Sequence, residues 1–364
     1  MKIKEIITEI ERVAPLSLQE EYDNAGVQVG NINQQASGAL ICLDITEEVV
    51  DEAINSGFNL IISHHPLIFK PLKSITGRNY IERSLIKACK NDIVIYSAHT
   101  NMDNAYEGVN YRMAELFGLQ DVRILSPMTN KLIKLVTFVP EENAENVRKV
   151  LFKAGAGEIG AYSSCSFNAY GEGTYLATEG CNPYRGKIGQ LHVEKEVRIE
   201  TIFPNHIKSH LIRALLSVHP YEEPAFDLYK LENEWQQAGS GIIGQLPDWE
   251  GELIFLQRIK DVLNVESLQH SNLTGNKIRS VAICGGNGAF LINDAIRAEA
   301  DIFITGEAKY NNFYEVENKI LLAVTGHYKS EICTKDIFFN VISKKFPTFA
   351  VQISTANINP IKYL

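Results

Sequence analysis

The chain has 364 residues, 45% of them hydrophobic and 22% charged, with a formal net charge of −9. That length accommodates two or three domains with sizeable cores. The acidic balance leaves no basic surface to neutralise a phosphate backbone, which argues against nucleic acid as a main partner, and no apolar run approaches the ~18 residues of a membrane span.

The opening Met1-Lys2-Ile3-Lys4-Glu5 interrupts apolar residues with charges, so it is expected to begin an amphipathic helix over 1–13 and not a signal peptide. Ile3, Ile6, Ile7 and Ile10 share one face of that helix. A turn at Asp23-Asn24-Ala25-Gly26, a short strand Val27–Val29 and a buried strand Leu40–Leu43 follow. Thr46 is placed to N-cap a helix to about Ser56, with Glu47 and Glu48 in its first turn and Gly57 ending it. The run Asn59–Phe69 then stops an apolar strand at two adjacent histidines, His64 and His65, and Pro66 blocks its continuation. In open α/β sheets that carboxyl end is where ligands sit. A strand cap with surface histidines is the competing reading of this stretch taken alone, since neighbours on a strand face opposite ways. A helix near Tyr80–Cys89, a strand Ile93–Ala98, the loop His99–Asp103 and a helix at about Gly108–Phe117 complete the grammar of a mostly parallel sheet.

The C-terminal part repeats this pattern at an offset of 242 residues without a gap, setting Ile41-Cys42 on Ile283-Cys284 and Leu60–Ser63 on Ile302–Thr305. The third strand corresponds more loosely to Leu321–Val324, which runs into Thr325-Gly326-His327. Between the two copies, residues 130–235 hold two strand–Pro–helix units, Leu132–Pro140 into Glu141–Ala154 and Val197–Pro204 into Asn205–Ser217. Proline suits a helix start, and the pattern predicts a split βαβ, ferredoxin-like insert. Gly239-Ser240-Gly241 is expected to mark the return to the main body. The expected architecture is α/β: two duplicated α/β units, 1–127 and 239–364, forming one layered body, with an inserted ferredoxin-like α+β domain at 128–238.

His64, His65, His99 and Asp103 fall at strand ends of the first copy, and His327 and Glu331 at the equivalent end of the second. Positions i and i+4 share a helix face, so His327 and Glu331 can converge. Imidazoles with carboxylates suit zinc foremost, with iron, manganese or nickel as alternatives, and the group is large enough for two ions bridged by a carboxylate. Singly, His327 reads as a helix-start surface residue, Asp103 as an N-cap or Asx-turn residue and Glu331 as solvated helix surface. Six scattered cysteines (Cys42, Cys89, Cys165, Cys181, Cys284 and Cys333) form no C-x-x-C pair and are expected as buried small hydrophobes in a reducing, cytoplasmic compartment. The turn Cys284-Gly285-Gly286-Asn287-Gly288 offers backbone N–H groups, at Gly286 and Gly288 above all, that can cradle a phosphate, or is simply a tight strand–helix turn. His219-Pro220-Tyr221-Glu222-Glu223-Pro224 reads as a rigid turn or an interface.

Five motifs, Tyr22–Gly30, Ser63–Phe69, His99–Asp103, Ile304–Glu307 and Gly326–Glu331, span the chain and resemble, in order, those of the toroidal dinuclear-metal family of GTP cyclohydrolase 1 type 2 homologues, also called NGG-interacting-factor-three-like proteins. The resemblance implies that His64, His65, Asp103, His327 and Glu331 hold two divalent ions, with Glu331 as the bridge. It also implies a ring-shaped homohexamer, and the insert, through His219–Ala225, is similar to the PII/CutA-like domain of some members. Glu307, Asn311 and Val324 depart from the family pattern, which has an aspartate, a nearby histidine and an aspartate at these places. Two functions follow: a metal-dependent hydrolase acting on a nucleotide or other small molecule, with His99 as general base or orienting partner, or a metal-binding regulatory or scaffold ring without turnover.

Overall fold

The computed structural model describes residues 1–356, 358–362 and 364. The chain divides into two compact units, one made of residues 1–127 and 237–364, the other of residues 128–236.

The first unit contains two sheets. In one, Ala39–Cys42, Leu60–Ser63 and Val94–Ser97 run parallel, with Gly26–Val29 antiparallel on one edge and Val351–Ile353 parallel on the other. In the other, Lys277–Cys284, Ile302–Thr305 and Leu321–Val324 run parallel, flanked by Gln269–His270 and by Trp235–Gly251 with Gln120–Met128. A parallel strand is covered on both faces, which is why Leu60–Ser63, Ile302–Thr305 and Leu321–Val324 are buried at every position and read as continuous apolar runs. Helix Glu47–Asn55 begins as expected, Thr46 Oγ1 accepting from the Val49 N–H, and packs Val49, Val50 and Ala53 against Leu40 and Ile61. Helix Ile3–Val13 buries Ile3, Ile6, Ile7 and Ile10.

In the second unit, Phe167–Leu176, Leu191–Pro204, Leu132–Pro140 and Phe226–Leu231 form, in that spatial order, an antiparallel sheet. Alternate residues Ile133, Leu135, Val139, Val197, Ile199 and Phe203 pack on one face against Val147, Leu151, Leu211 and Leu215 of helices Ala144–Lys153 and Lys208–Val218. Each of these helices starts three residues later than the sequence predicts. Pro140 and Pro204 are each followed by a 3₁₀ turn, Glu141–Asn143 and Asn205–Ile207, before the α-helix begins.

Strand Trp235–Gly251 runs through Gly239-Ser240-Gly241, just past residue 237 where the chain re-enters the first unit. One further expectation is corrected. Among the cysteines, Cys42, Cys284 and Cys333 are buried, but Cys89 and Cys181 are exposed. No helix among the described residues is long and apolar enough to cross a membrane.

Candidate metal centre

The carboxyl ends of the two parallel sheets meet at one cluster of side chains. His64 and His65 follow strand Leu60–Ser63, His99 and Asp103 follow Val94–Ser97, and His327 and Glu331 lie on the short helix His327–Glu331 after Leu321–Val324. Three overlapping groups, His64–His65–His99, His65–His327–Glu331 and His64–Asp103–Glu331, each bring their ligand atoms within 4.8 Å of one another.

Glu331 is the hub. Its Oε2 lies 2.9 Å from His65 Nε2, 2.9 Å from His327 Nε2 and 3.8 Å from His64 Nε2. The Nε2 atoms of His65 and His327 are themselves 3.2 Å apart, and His64 Nε2 is 3.6 Å from Asp103 Oδ1. Neighbouring strand residues would diverge, but the strand ends at Ser63, and both rings reach the cluster with centroids 5.0 Å apart.

Each ring is aimed from its other side. His64 Nδ1–H donates to the Ala98 carbonyl at 2.9 Å, His65 Nδ1–H to Asp44 at 2.7 Å, His327 Nδ1–H to Glu307 at 3.0 Å and His99 Nδ1–H to Asp23 at 2.8 Å. Carbonyls and ionised carboxylates only accept, so each partner fixes the proton on Nδ1 and turns Nε2 inward. Glu307 thus acquires a definite role, orienting His327. Asp44 and Asp23 escape a reading of the sequence, although Asp44 stands two residues past strand Ala39–Cys42 and Asp23 sits in the Tyr22–Gly30 motif. Asn311 is exposed and Val324 is buried.

The electrostatics describe a pocket built around positive charge. Burial pushes Asp103 well up from the ordinary carboxylate range, and the Glu331 charge adds to it. Burial would raise Glu331 too, but the imidazoles of His327, His64 and His65 hold it well down. Burial would lower His65, yet hydrogen bonds to Asp44 and Glu331 raise it to about 10. The fully buried His64 is pushed down by desolvation and is neutral. Its Nε2 and Asp103 Oδ1 are buried with no hydrogen-bond partner. Orphaned buried polar atoms carry a desolvation cost of about 1–3 kcal/mol. A neutral imidazole lone pair beside an unpaired carboxylate oxygen is the donor set a divalent cation needs, so the residues fit such an ion.

The glycine turn serves this cluster from behind. A Cβ at Gly286, where φ is +59°, would lie 2.1 Å from Glu331 Oε1. Its N–H donates to Ser330 Oγ at 2.9 Å, and the Gly288 N–H to Thr305 Oγ1 at 3.0 Å. Those donors are committed inside the fold and so are not the open phosphate cradle that the sequence allowed. His219 in the second unit is likewise structural: Nε2–H donates to the Phe138 carbonyl, and Nδ1 accepts from the Tyr221 N–H.

Comparison with known proteins gives a consistent picture. The Duf34/NIF3 (NGG1p interacting factor 3) family description matches residues 1–360. A Bacillus subtilis protein named GTP cyclohydrolase 1 type 2 homolog is 35% identical over 99% of this chain and 98% of its own. One of the same name from Halalkalibacterium halodurans is 43% identical over 84% of this chain and 82% of its own. A crystal structure of a Bacillus cereus protein related to NIF3 superposes with a TM-score of 0.87 at 38% identity, covering 100% of this chain and 99% of that one.

Proposed function

We propose that this chain, which belongs to the Duf34/NIF3 family, holds two divalent cations at His64, His65, Asp103, His327 and Glu331 and works as a metal-dependent hydrolase of a nucleotide or another small molecule. The observation that carries this reading is the convergence of five ligand-type side chains, two of them ending in buried atoms without partners. Glu331, whose Oε2 is equidistant from His65 and His327 and faces His64, would be the ligand the two ions share. When bound, such a pair supplies a water of lowered pKa and a Lewis acid for the substrate's electrophilic centre.

The chain's own residues do the rest. Asp44 and Glu307 hold His65 and His327 in register, and the Ala98 carbonyl holds His64. His99, whose Nδ1 proton is fixed by Asp23, keeps a free Nε2 lone pair beside the cluster and takes up a proton as general base. A cleft of about 320 Å³ lined by Asn287, Glu307, Lys309 and His327 adjoins the cluster, and its size suits a small molecule.

The same reading extends to architecture. The two parallel triplets are a duplication: under the 242-residue offset, the pairing Ala39↔Leu60 becomes Val281↔Ile302, which is the register observed. The second unit is ferredoxin-like and PII/CutA-related, a view supported by its β-α-β-β-α-β order and by a sheet that places the first and third strands at the centre. The assembly is a cytoplasmic homohexameric ring, open to test by analytical ultracentrifugation.

Elemental analysis of untagged protein tests the centre directly, with two equivalents of divalent metal expected and zinc foremost. A metal-free wild type that cannot be loaded refutes it. Turnover of a nucleotide panel beginning with GTP separates hydrolase from scaffold. Metal-dependent consumption of one substrate, absent from the H64A/E331A double variant, supports the enzyme, and equal background from both proteins favours the scaffold.

A further inference from the structure

The second unit buries one face of its sheet under two helices and leaves the other without a helix. Alternation along the strands decides what that open face carries. Gly171 pairs with Glu196, Gly173 with Glu194 and Ala169 with Arg198, while Val197 and Ile199 point the opposite way into the core. Two glycines in one strand remove the side chains that would fill the floor. The loop around Tyr184 and the turn at Tyr221 rise at the sides, leaving a cleft of about 700 Å³.

Its chemistry is specific. The rings of Tyr175 and Tyr184 lie 5.8 and 6.2 Å from that of Tyr221, forming an aromatic wall. Glu196 stands in the cleft though only 8% exposed, and its Oε1 accepts from Tyr221 O–H at 2.6 Å. Its Oε2 occupies the space over Gly173 that a Cβ would fill, and no donor reaches it among the described residues. The nearby guanidinium groups are engaged elsewhere: Arg198 pairs with Glu200, and Arg185 with Glu194. A carboxylate oxygen that opens on the cleft without a donor is a ready acceptor for a charged N–H group. Tyrosine faces attract the same positive charge. An anion is disfavoured, because Glu172, Glu222 and Glu223 also line the cleft. A metal ion is disfavoured too, since no cluster of three ligand-type groups occurs in this unit among the described residues.

We propose that this cleft binds a small organic molecule bearing a primary ammonium group, with Glu196 Oε2 accepting from the ammonium and the tyrosine wall receiving its apolar body. The site lies within the second unit and does not depend on the candidate metal centre. The His219–Pro224 turn then fixes the ring whose hydroxyl positions Glu196.

Isothermal titration calorimetry of the full chain with phenethylamine, using 2-phenylethanol as a neutral control of the same shape, tests the proposal. Phenethylamine is expected to bind roughly tenfold or more tighter than the alcohol, and Glu196→Gln to lose about that factor, the scale of a charge-assisted hydrogen bond. Equal binding of amine and alcohol by the wild type, or no heat from phenethylamine up to millimolar concentration, overturns the proposal without any variant needing to fold. Undiminished binding by a folded Glu196→Gln protein overturns it as well.

Discussion

Gly286→Ala isolates the geometry on which the metal centre depends. Two costs arise at once. With φ at +59°, an alanine sits in the left-handed region at a cost of about 1–2 kcal/mol. The added Cβ also falls 2.1 Å from Glu331 Oε1, whereas ordinary contact begins near 3.4 Å. The carboxylate must therefore retreat by roughly 1 Å, several times the ~0.2 Å tolerance of a metal–ligand bond. Gly57→Ala is the matched control, with φ at +68° and nothing within 4 Å of its Cβ, so it carries the backbone cost alone. Metal content and competition with a chromogenic chelator read the outcome. Gly57→Ala should lower the melting temperature modestly and keep its metal, while Gly286→Ala should weaken metal affinity by roughly 10–100-fold. If Gly286→Ala binds metal as tightly as Gly57→Ala, Glu331 is not the hub of the site.

Asp44→Ala and Glu307→Ala remove the acceptors that hold Nδ1–H of His65 and His327, and each should cost about 10–100-fold in metal affinity with little change in fold; affinities equal to wild type would show that the rings need no such support. Chelation of the metal should lower the melting temperature, because Glu331 and the buried Oδ1 of Asp103 are then left without a cation. A melting curve indifferent to chelator would argue against occupancy. Asp23 carries a pH dependence of known sign. Burial alone would raise it, but hydrogen bonds from His99, Thr100 and the Asn24 N–H hold it at about 2 against an ordinary 3.8. A carboxylate held down in the fold stabilises above about pH 4 and loses that contribution as the pH falls towards 2. The gap corresponds to about 2 kcal/mol, or about 1 after solvent screening. Denaturant melts should show wild type more stable than Asp23→Asn at pH 6, with the difference shrinking below pH 4; a difference that stays constant with pH contradicts this assignment.

Much was legible in the linear chain because it depends on local or periodic physics. Thr46 announces a helix start through its own hydroxyl, and the apolar runs at 60–62 and 302–304 reveal strands buried on both faces, each closed by a hydrogen-bonded hydroxyl residue, Ser63 or Thr305. The strand-end position of His64 and His65, and the i,i+4 spacing of His327 and Glu331, are also local facts. What covers an edge or backs a ring is not local. Asp23 reaches His99 across 76 residues, and Glu307 was visible only as a departure until His327 folded against it. Gly286 likewise read as a phosphate cradle or a plain tight turn, because the sequence could not reveal that its missing side chain makes room for Glu331 Oε1. Composition and periodicity thus determined which elements form and which residues can bear chemistry. Only the tertiary structure decided which lone pairs face one another, because that depends on contacts between chain segments as much as 266 residues apart, such as His65 and Glu331, which no periodicity encodes.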